Sequence, residues 1–188
     1  MQSVPTLTRA YDRRMATLVL TVIGDDRAGL VNAVAQVVAG HGGNWERSQM
    51  AELAGKFAGI VLVTVPDNGV DELVAALEPL HGMLDITAQP GSPELDVVAP
   101  GAQRFVLDLI GSDRPGIVRE ITDVLAAHAV NIDTLRTETR EAPMSGGRLF
   151  EATAVLEVPA EVDIGALRVA LERLANELMV DIRLDTPA

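Results

Sequence analysis

Cysteine is absent from this sequence of 188 residues. A disulfide framework, a thiolate nucleophile and a cysteine–metal site are therefore excluded. Aromatic residues make up only 3% of the chain, so the sequence offers few side chains on which RNA bases could stack. An RNA-recognition module, which needs such side chains and a basic face, is disfavoured.

Basic residues are also scarce, with 15 Lys and Arg against 27 Asp and Glu and a net charge of −12. That balance disfavours broad contact with nucleic-acid phosphates or anionic lipid. No apolar run reaches the roughly 20 residues of a membrane helix, and the polar N-terminus lacks the apolar segment of a signal peptide. We therefore expect a cytoplasmic protein that contacts neither nucleic acid nor membrane directly.

The chain repeats itself once. Residues 18–47 and 105–134 align without a gap at an offset of 87, and 12 of the 30 aligned positions are identical. Most of the differences keep the apolar pattern, and the similarity continues more weakly to the end of each copy. Between the copies, residues 90–103 are rich in Pro and Gly, a composition typical of linkers.

This repeat divides the chain into two small domains. We predict a flexible N-terminal extension at residues 1–15, a first domain at 16–90, a linker at 91–103 and a second domain at 104–188. Short insertions lengthen the second copy, and the largest is predicted to form a loop at residues 140–147, which contain Gly and Pro.

Each copy has the predicted element order β-α-β-β-α-β. In the first copy, this order comes from a strand at 18–23, a turn at 24–29, a helix from residue 30, strands at 44–53 and 57–65, a helix at 70–80 and a strand at 84–89. It predicts an α+β fold of two ferredoxin-like domains, each an antiparallel four-stranded sheet with two helices on one face. The other face stays uncovered, so we expect the copies to pair or the chain to form a homodimer.

The first strand-to-helix turn carries the pattern I-G-x-D-R-[AP]-G-[LI]-V in both copies. Glycine before a helix lets another molecule approach the backbone, and free N–H groups at a helix start favour a carboxylate. Asp26 and Asp113 add a negative charge that attracts an ammonium group. The turn therefore suits an α-amino acid, although an Asp before a helix is also an ordinary N-cap. Pro115 is expected at the helix start, where a missing N–H is tolerated.

Together with the Asn-Trp and Asn-Ile pairs that open the following strands, this turn and its helix resemble the ACT domain. The resemblance covers residues 18–89 and 104–185. It implies a fold that senses small molecules, often amino acids, at interfaces between paired domains. A chain made of two such domains resembles the glycine cleavage system transcriptional repressor family, whose members regulate through another protein rather than through direct contact with DNA.

The resemblance also implies which residues contact the ligand. They come from the turn and from the start of the following strand: Asp26, Ala28, Gly29, Leu30, Asn44, Asp113, Pro115, Gly116, Ile117 and Asn131. The first copy departs from the family pattern at Ala28, where Pro is favoured, and at Trp45, where an aliphatic residue is usual. The match is therefore fuller in the second copy.

No catalytic constellation is found in the sequence. The three His residues are scattered, and neither a Gly-x-Ser-x-Gly turn nor a nucleotide-binding glycine motif is present. His41 and His128 fall at helix ends, a position typical of capping. We expect a protein that is not an enzyme and that needs neither metal nor cofactor.

These features predict an allosteric regulator that senses a small molecule, an amino acid, and controls a protein partner. Two alternatives stay open: an interaction module that works without ligand, and a detached regulatory subunit of an amino-acid biosynthetic enzyme. Arg27 and Arg114, which follow the shared Asp, are expected to bridge to acidic residues of a neighbouring domain or to be solvated.

Overall fold

The computed structural model describes residues 14–92, 100–142 and 147–187. Three predicted segments therefore lie wholly or partly outside the described residues: the N-terminal extension, the centre of the linker and the centre of the loop at 140–147. The chain divides into two compact units, which are described separately.

The first unit contains four strands and two α-helices in the predicted order. Its elements are β1 (Met15–Asp25), α1 (Leu30–Gly40), β2 (Asn44–Leu53), β3 (Lys56–Pro66), α2 (Val70–Leu77) and β4 (Leu84–Pro90). Short 3-10 turns at Asp67–Gly69 and Glu78–Gly82 flank α2. The second helix is therefore shorter than predicted, because Pro79 lacks the N–H that would continue the α-helical pattern.

The second unit repeats this order. Its elements are β5 (Gln103–Ser112), α3 (Ile117–Ala127), β6 (Asn131–Glu141), β7 (Arg148–Val158), α4 (Ile164–Leu178) and β8 (Val180–Asp185). The sheet orders are β2-β3-β1-β4 and β6-β7-β5-β8, and all neighbouring strands are antiparallel. The predicted α+β class with two ferredoxin-like domains is confirmed.

Alternation along the strands decides which face of each sheet is buried. In β1, Leu18, Leu20 and Val22 are buried, and Leu18 and Leu20 belong to one core together with Leu30 and Leu73 of the two helices. Residues 19, 21 and 23 point to the opposite face, because successive side chains of a strand alternate. Both helices therefore cover the same face, and neither helix of this unit covers the other face of the first sheet.

Trp45 packs against this first core as a partly buried side chain. The second unit has a separate core, in which Leu107 and Leu156 lie with the buried Phe105 and Phe150. Each unit therefore folds around its own, mainly aliphatic, cluster.

The first helix of each unit has a histidine at its C-cap, and the residue after that histidine has a left-handed backbone conformation. In α1 the Nδ1 atom of His41 lies 2.8 Å from the carbonyl oxygen of Val37, and Gly42 has a φ of +69°. In α3 the cap is His128 and the left-handed residue is Ala129, with a φ of +54°. A Cβ atom makes this conformation costly, so the second helix ends with a strain that the first avoids.

We predict that Ala129→Gly stabilises the second unit by about 0.5–1 kcal/mol, because glycine adopts a positive φ without steric cost. The matched change Gly42→Ala should destabilise the first unit by about 1 kcal/mol. The nearest atom to an added Cβ at Gly42 is Pro66 Cγ at 4.0 Å, so packing does not confound the comparison. Urea denaturation measures both values, and a destabilised Ala129→Gly variant would contradict the account.

Candidate functional site

Each strand-to-helix turn ends on a glycine with positive φ. Gly29 has a φ of +94° and Gly116 a φ of +93°, and each is the N-cap residue of its helix. No side-chain hydrogen bond caps the start of either helix. Asp26 and Asp113 lie three residues earlier, so the interpretation of these carboxylates as ordinary N-caps is wrong.

A backbone hydrogen bond fixes the aspartate in each turn. The N–H of Asp26 donates to the Gly55 carbonyl at 2.9 Å, and the N–H of Asp113 donates to the Arg148 carbonyl at 2.8 Å. These bonds tie each turn to the neighbouring hairpin, between β2 and β3 or between β6 and β7. These bonds use only the backbone of the two Asp residues and leave their carboxylates out of the turn's own hydrogen bonds.

Ala28 and Pro115 lie in the turns and are exposed. The second helix begins at Ile117, so Pro115 precedes the Gly116 cap rather than occupying the first helical position. Leu30 and Ile117 are buried core residues at the first helical position of their units. A ligand at the turn could therefore bind their backbone N–H groups but not their side chains.

In the first unit this turn borders a cavity of about 280 Å³, lined by Asp26, Arg27, Gly29, Leu30, Val31, Asn32 and Phe57. Asp26 and Arg27 bring opposite charges to its wall. No hydrogen bond or salt bridge links either side chain to another residue in the described part of the chain. Sequence reasoning missed Val31, Asn32 and Phe57, and it considered Arg27 only as a bridge or a solvated side chain.

The neighbouring carboxylate, Asp25, is already engaged. Lys56 of β3 pairs with it, and this hydrogen bond and positive charge lower the pKa of Asp25, with a smaller contribution from the charge of Arg27. Both side chains are well exposed, so the pair contributes little to stability. Asp25 and Asp26 therefore do not form a carboxylate pair, and Asp26 is the one left facing the cavity.

In the second unit the corresponding charges have partners. Asp113 Oδ2 lies 3.9 Å from Arg148 Nε, and Arg114 Nη2 donates to Glu120 Oε2 at 2.5 Å. The expectation that Arg114 bridges to a neighbouring domain or is solvated is wrong, because Glu120 lies one turn into the helix that follows it in the same unit.

The two predicted asparagines lie at the other end of each sheet. Asn44 pairs with Thr64, which pairs with Thr17 near the start of β1. The turn follows Asp25, so roughly 25 Å of strand separates Asn44 from the turn of its own unit. Asn131 is placed in the same way, opposite Glu157 and hence Arg104. No single unit brings its turn and its asparagine together.

Each asparagine instead contacts an acidic side chain two residues on, next to a β-bulge. Asn44 Nδ2 donates to Glu46 Oε1 at 2.9 Å, and Thr64 Oγ1 donates to the same oxygen at 2.8 Å. These two bonds lower the pKa of Glu46, the Thr64 bond more strongly. Asn131 Nδ2 lies 3.4 Å from Asp133 Oδ1, and the strand register shifts at both positions.

Within the described residues, no cluster of three or more His, Asp or Glu side chains is arranged to hold a metal ion. None of the helices described is long and apolar enough to cross a membrane. What the first turn offers is a small concave surface with one carboxylate, one guanidinium and an uncapped helix start.

Comparison with known proteins identifies the fold family. A family model of the ACT domain matches residues 16–89 and 103–185. The chain belongs to the ACT domain family. The resemblance seen in the turn motif is thereby confirmed over both copies, and the chain is a tandem ACT protein.

Two full-length similarities and one partial similarity extend this result. The glycine cleavage system transcriptional repressor of Escherichia coli is 29% identical over 169 residues, covering 86% of this chain and 85% of the relative. The crystal structure of an unknown protein from Galdieria sulphuraria is 32% identical, with a TM-score of 0.84 over 93% of this chain and 100% of the other. A UPF0237 protein of Methanopyrus kandleri is 38% identical over 81 residues, covering 42% of this chain and 82% of the relative.

We predict that Lys56→Met raises the pKa of Asp25 towards the ordinary value of an exposed aspartate, because the hydrogen bond and charge that lower it are lost. A folded-state pKa below the unfolded one adds stability that disappears as the pH falls through it, so the wild-type chain should lose this small contribution in acid. Carbon-detected NMR titration measures the pKa. Lys56→Arg is the control and should keep the pKa low, and an unchanged pKa in Lys56→Met would contradict the assignment.

Proposed function

We propose that this tandem ACT protein senses a small α-amino acid at the turn of its first unit and thereby controls a protein partner. The single observation that carries the proposal is the cavity beside Gly29, where neither the Asp26 nor the Arg27 side chain has a hydrogen-bond or salt-bridge partner in the described part of the chain. Regulation is the role named for its Escherichia coli relative, which it resembles over most of both chains.

The groups around the cavity complement a zwitterion. The uncapped N–H groups of α1 and the Arg27 guanidinium attract a carboxylate, and the Asp26 carboxylate attracts an ammonium group. The volume of about 280 Å³ lies just below the roughly 300–1,000 Å³ typical of sites for drug-sized molecules. A small amino acid fits this combination of charge and size better than a nucleotide or a peptide.

Sensing becomes regulation through linkage. A ligand that binds one arrangement of the domains more tightly than another shifts the population towards that arrangement. A partner that prefers either arrangement then gains or loses affinity by the same coupling free energy. The net charge of −12 favours a protein partner over nucleic acid, so control of transcription would pass through another protein.

We predict that at least one small amino acid stabilises the folded chain, by about 2.7 kcal/mol at one hundred times its Kd. Asp26→Asn should abolish this stabilisation, because it removes the charge that holds the ammonium group. Asp25→Asn is the matched control and should retain it, since Asp25 pairs with Lys56. Thermal unfolding with a panel of amino acids measures the effect.

Two results would overturn the proposal. One is a panel in which no amino acid shifts the melting temperature. The other is a ligand-induced shift of full size in Asp26→Asn, which would place binding away from the first turn.

A second candidate, the interaction module that works without ligand, is favoured by the face of the first sheet that neither helix of the first unit covers. Val19, Ile60 and Leu62 line a shallow depression of about 490 Å³ there, and Ile60 is 49% exposed. At the equivalent position of the second sheet, Thr153 stands in place of Ile60 and donates to Asp108 at 2.6 Å. We propose the first face as the contact surface of a homodimer, because its apolar side chains can pack against those of a second copy, with Arg47 as a charged residue that also lines the depression.

We predict that Ile60→Lys dissociates this dimer by placing two like charges in the contact, without lowering the melting temperature of the unit. Thr153→Lys changes the equivalent position of the second sheet and should leave association intact. Sedimentation velocity distinguishes the two variants. A monomeric wild-type chain, or an Ile60→Lys variant that remains dimeric, would contradict the proposed contact.

A further inference from the structure

We propose that Glu120 closes the turn of the second unit with its own carboxylate, so that only the first unit binds the ligand. This inference rests on the proposed function, because it assigns the amino-acid site to one of two similar turns. It concerns a contact inside the second unit, between Arg114 of the turn and Glu120 of α3.

Glu120 lies one helical turn beyond the cap and folds back towards it. Its N–H donates to the Gly116 carbonyl at 3.0 Å, the first hydrogen bond of the helix. Its Oε2 atom accepts from Arg114 Nη2 at 2.5 Å, and its Oε1 atom lies 3.8 Å from Arg119 Nη2. A carboxylate in this position is favoured by the two guanidinium groups and by the helix start.

The Glu120 carboxylate lies where a ligand carboxylate would have to approach. A Cβ atom added to Gly116 would lie 3.5 Å from Glu120 Oε1, so this oxygen is in contact range of the turn glycine. The Nε atom of Arg114 is buried and has no hydrogen-bond partner in the described part of the chain. Arg114 therefore satisfies its charge through Glu120, and releasing that contact would leave a partly desolvated guanidinium unpaired.

The ammonium side of the second turn is also engaged. Asp113 lies 3.9 Å from Arg148, whereas Gly55 stands at the equivalent place in the first unit and offers no charge. A ligand ammonium group at Asp113 would meet the Arg148 guanidinium already there. Both charges that the turn would use for a zwitterion therefore have partners in the second unit.

The first unit lacks each of these partners. Ala33 stands at the position of Glu120 and Asn32 at the position of Arg119. Where the second unit has its internal carboxylate, the first has a cavity bordered by Arg27 and Asp26. The backbone of the two turns is the same, so the side chains one helical turn later make the difference.

A tethered carboxylate competes strongly with a free one. A group held on a short tether has an effective concentration on the order of millimolar or higher, so a free amino acid must exceed that level to displace it. The Glu120 contact thus excludes ligand without changing the fold. The turn motif alone favours the second unit as the ligand site, because the family pattern is fuller there. The side-chain contacts favour the first unit instead.

Amide NMR with glycine and L-serine as probes tests this assignment on the full chain. In the wild type, we expect the binding probe to shift the Gly29 and Leu30 signals at low concentration and to leave Gly116 and Ile117 unchanged. Glu120→Ala should add shifts at Gly116 and Ile117, so that a second site appears. The matched change Ala33→Glu gives the first unit the same internal carboxylate. At least ten times more probe should then be needed to produce the first-unit shifts.

Controls separate the possible failures. Glu120→Gln keeps the shape and removes the charge, so it should also open the second turn, and unchanged amide dispersion confirms that each variant is folded. Equal shifts at both turns of the wild type, or a Glu120→Ala variant in which only the first turn responds, overturn the closing role while the proposed sensing function stands. No response to glycine or L-serine in any variant overturns this inference, whereas the sensing function is overturned only if no amino acid of the thermal-unfolding panel stabilises the chain.

Discussion

Two glycines with positive φ set the geometry on which the candidate site depends. At Gly29 and Gly116 the chain leaves the central strand of its sheet and enters a helix. An L-residue adopts this conformation only at a steric cost, so glycine is strongly favoured there. Because glycine has no side chain, the helix start is left without a side-chain cap and open to approach. The aspartate and arginine of the motif are thereby freed from capping and can bind other groups.

What the side chains then do differs between the copies. In the first unit, Lys56 pairs with Asp25 and leaves Asp26 and Arg27 beside a cavity. In the second unit, the equivalent Arg114 and Asp113 are paired with Glu120 and Arg148. The duplicated backbone thus carries one open turn and one internally paired turn. Two copies that share a fold can in this way divide their roles, one for a ligand and one for structure or for a partner.

The repeat and its apolar periodicity predicted the element order and sheet class, because these follow from local patterns. Three features of the site could not be predicted in this way. The register of β2 puts Asn44 roughly 25 Å from its own turn, and the bulge after Trp45 depends on pairing with β3. The fold-back of Glu120 depends on its side-chain rotamer. The exchange of Ala33 for Glu120 was nevertheless visible in the aligned copies and is the signal that sequence reasoning passed over.

The most direct test of this account is a crystal structure of the full chain grown with a saturating amount of an amino acid that stabilises it. We expect density for one zwitterion beside Gly29, with its carboxylate at the start of α1 and its ammonium group at Asp26. We also expect that Glu120 still contacts Arg114 beside Gly116. A zwitterion at Gly116 with Glu120 displaced, while the turn at Gly29 stays empty, would contradict this account.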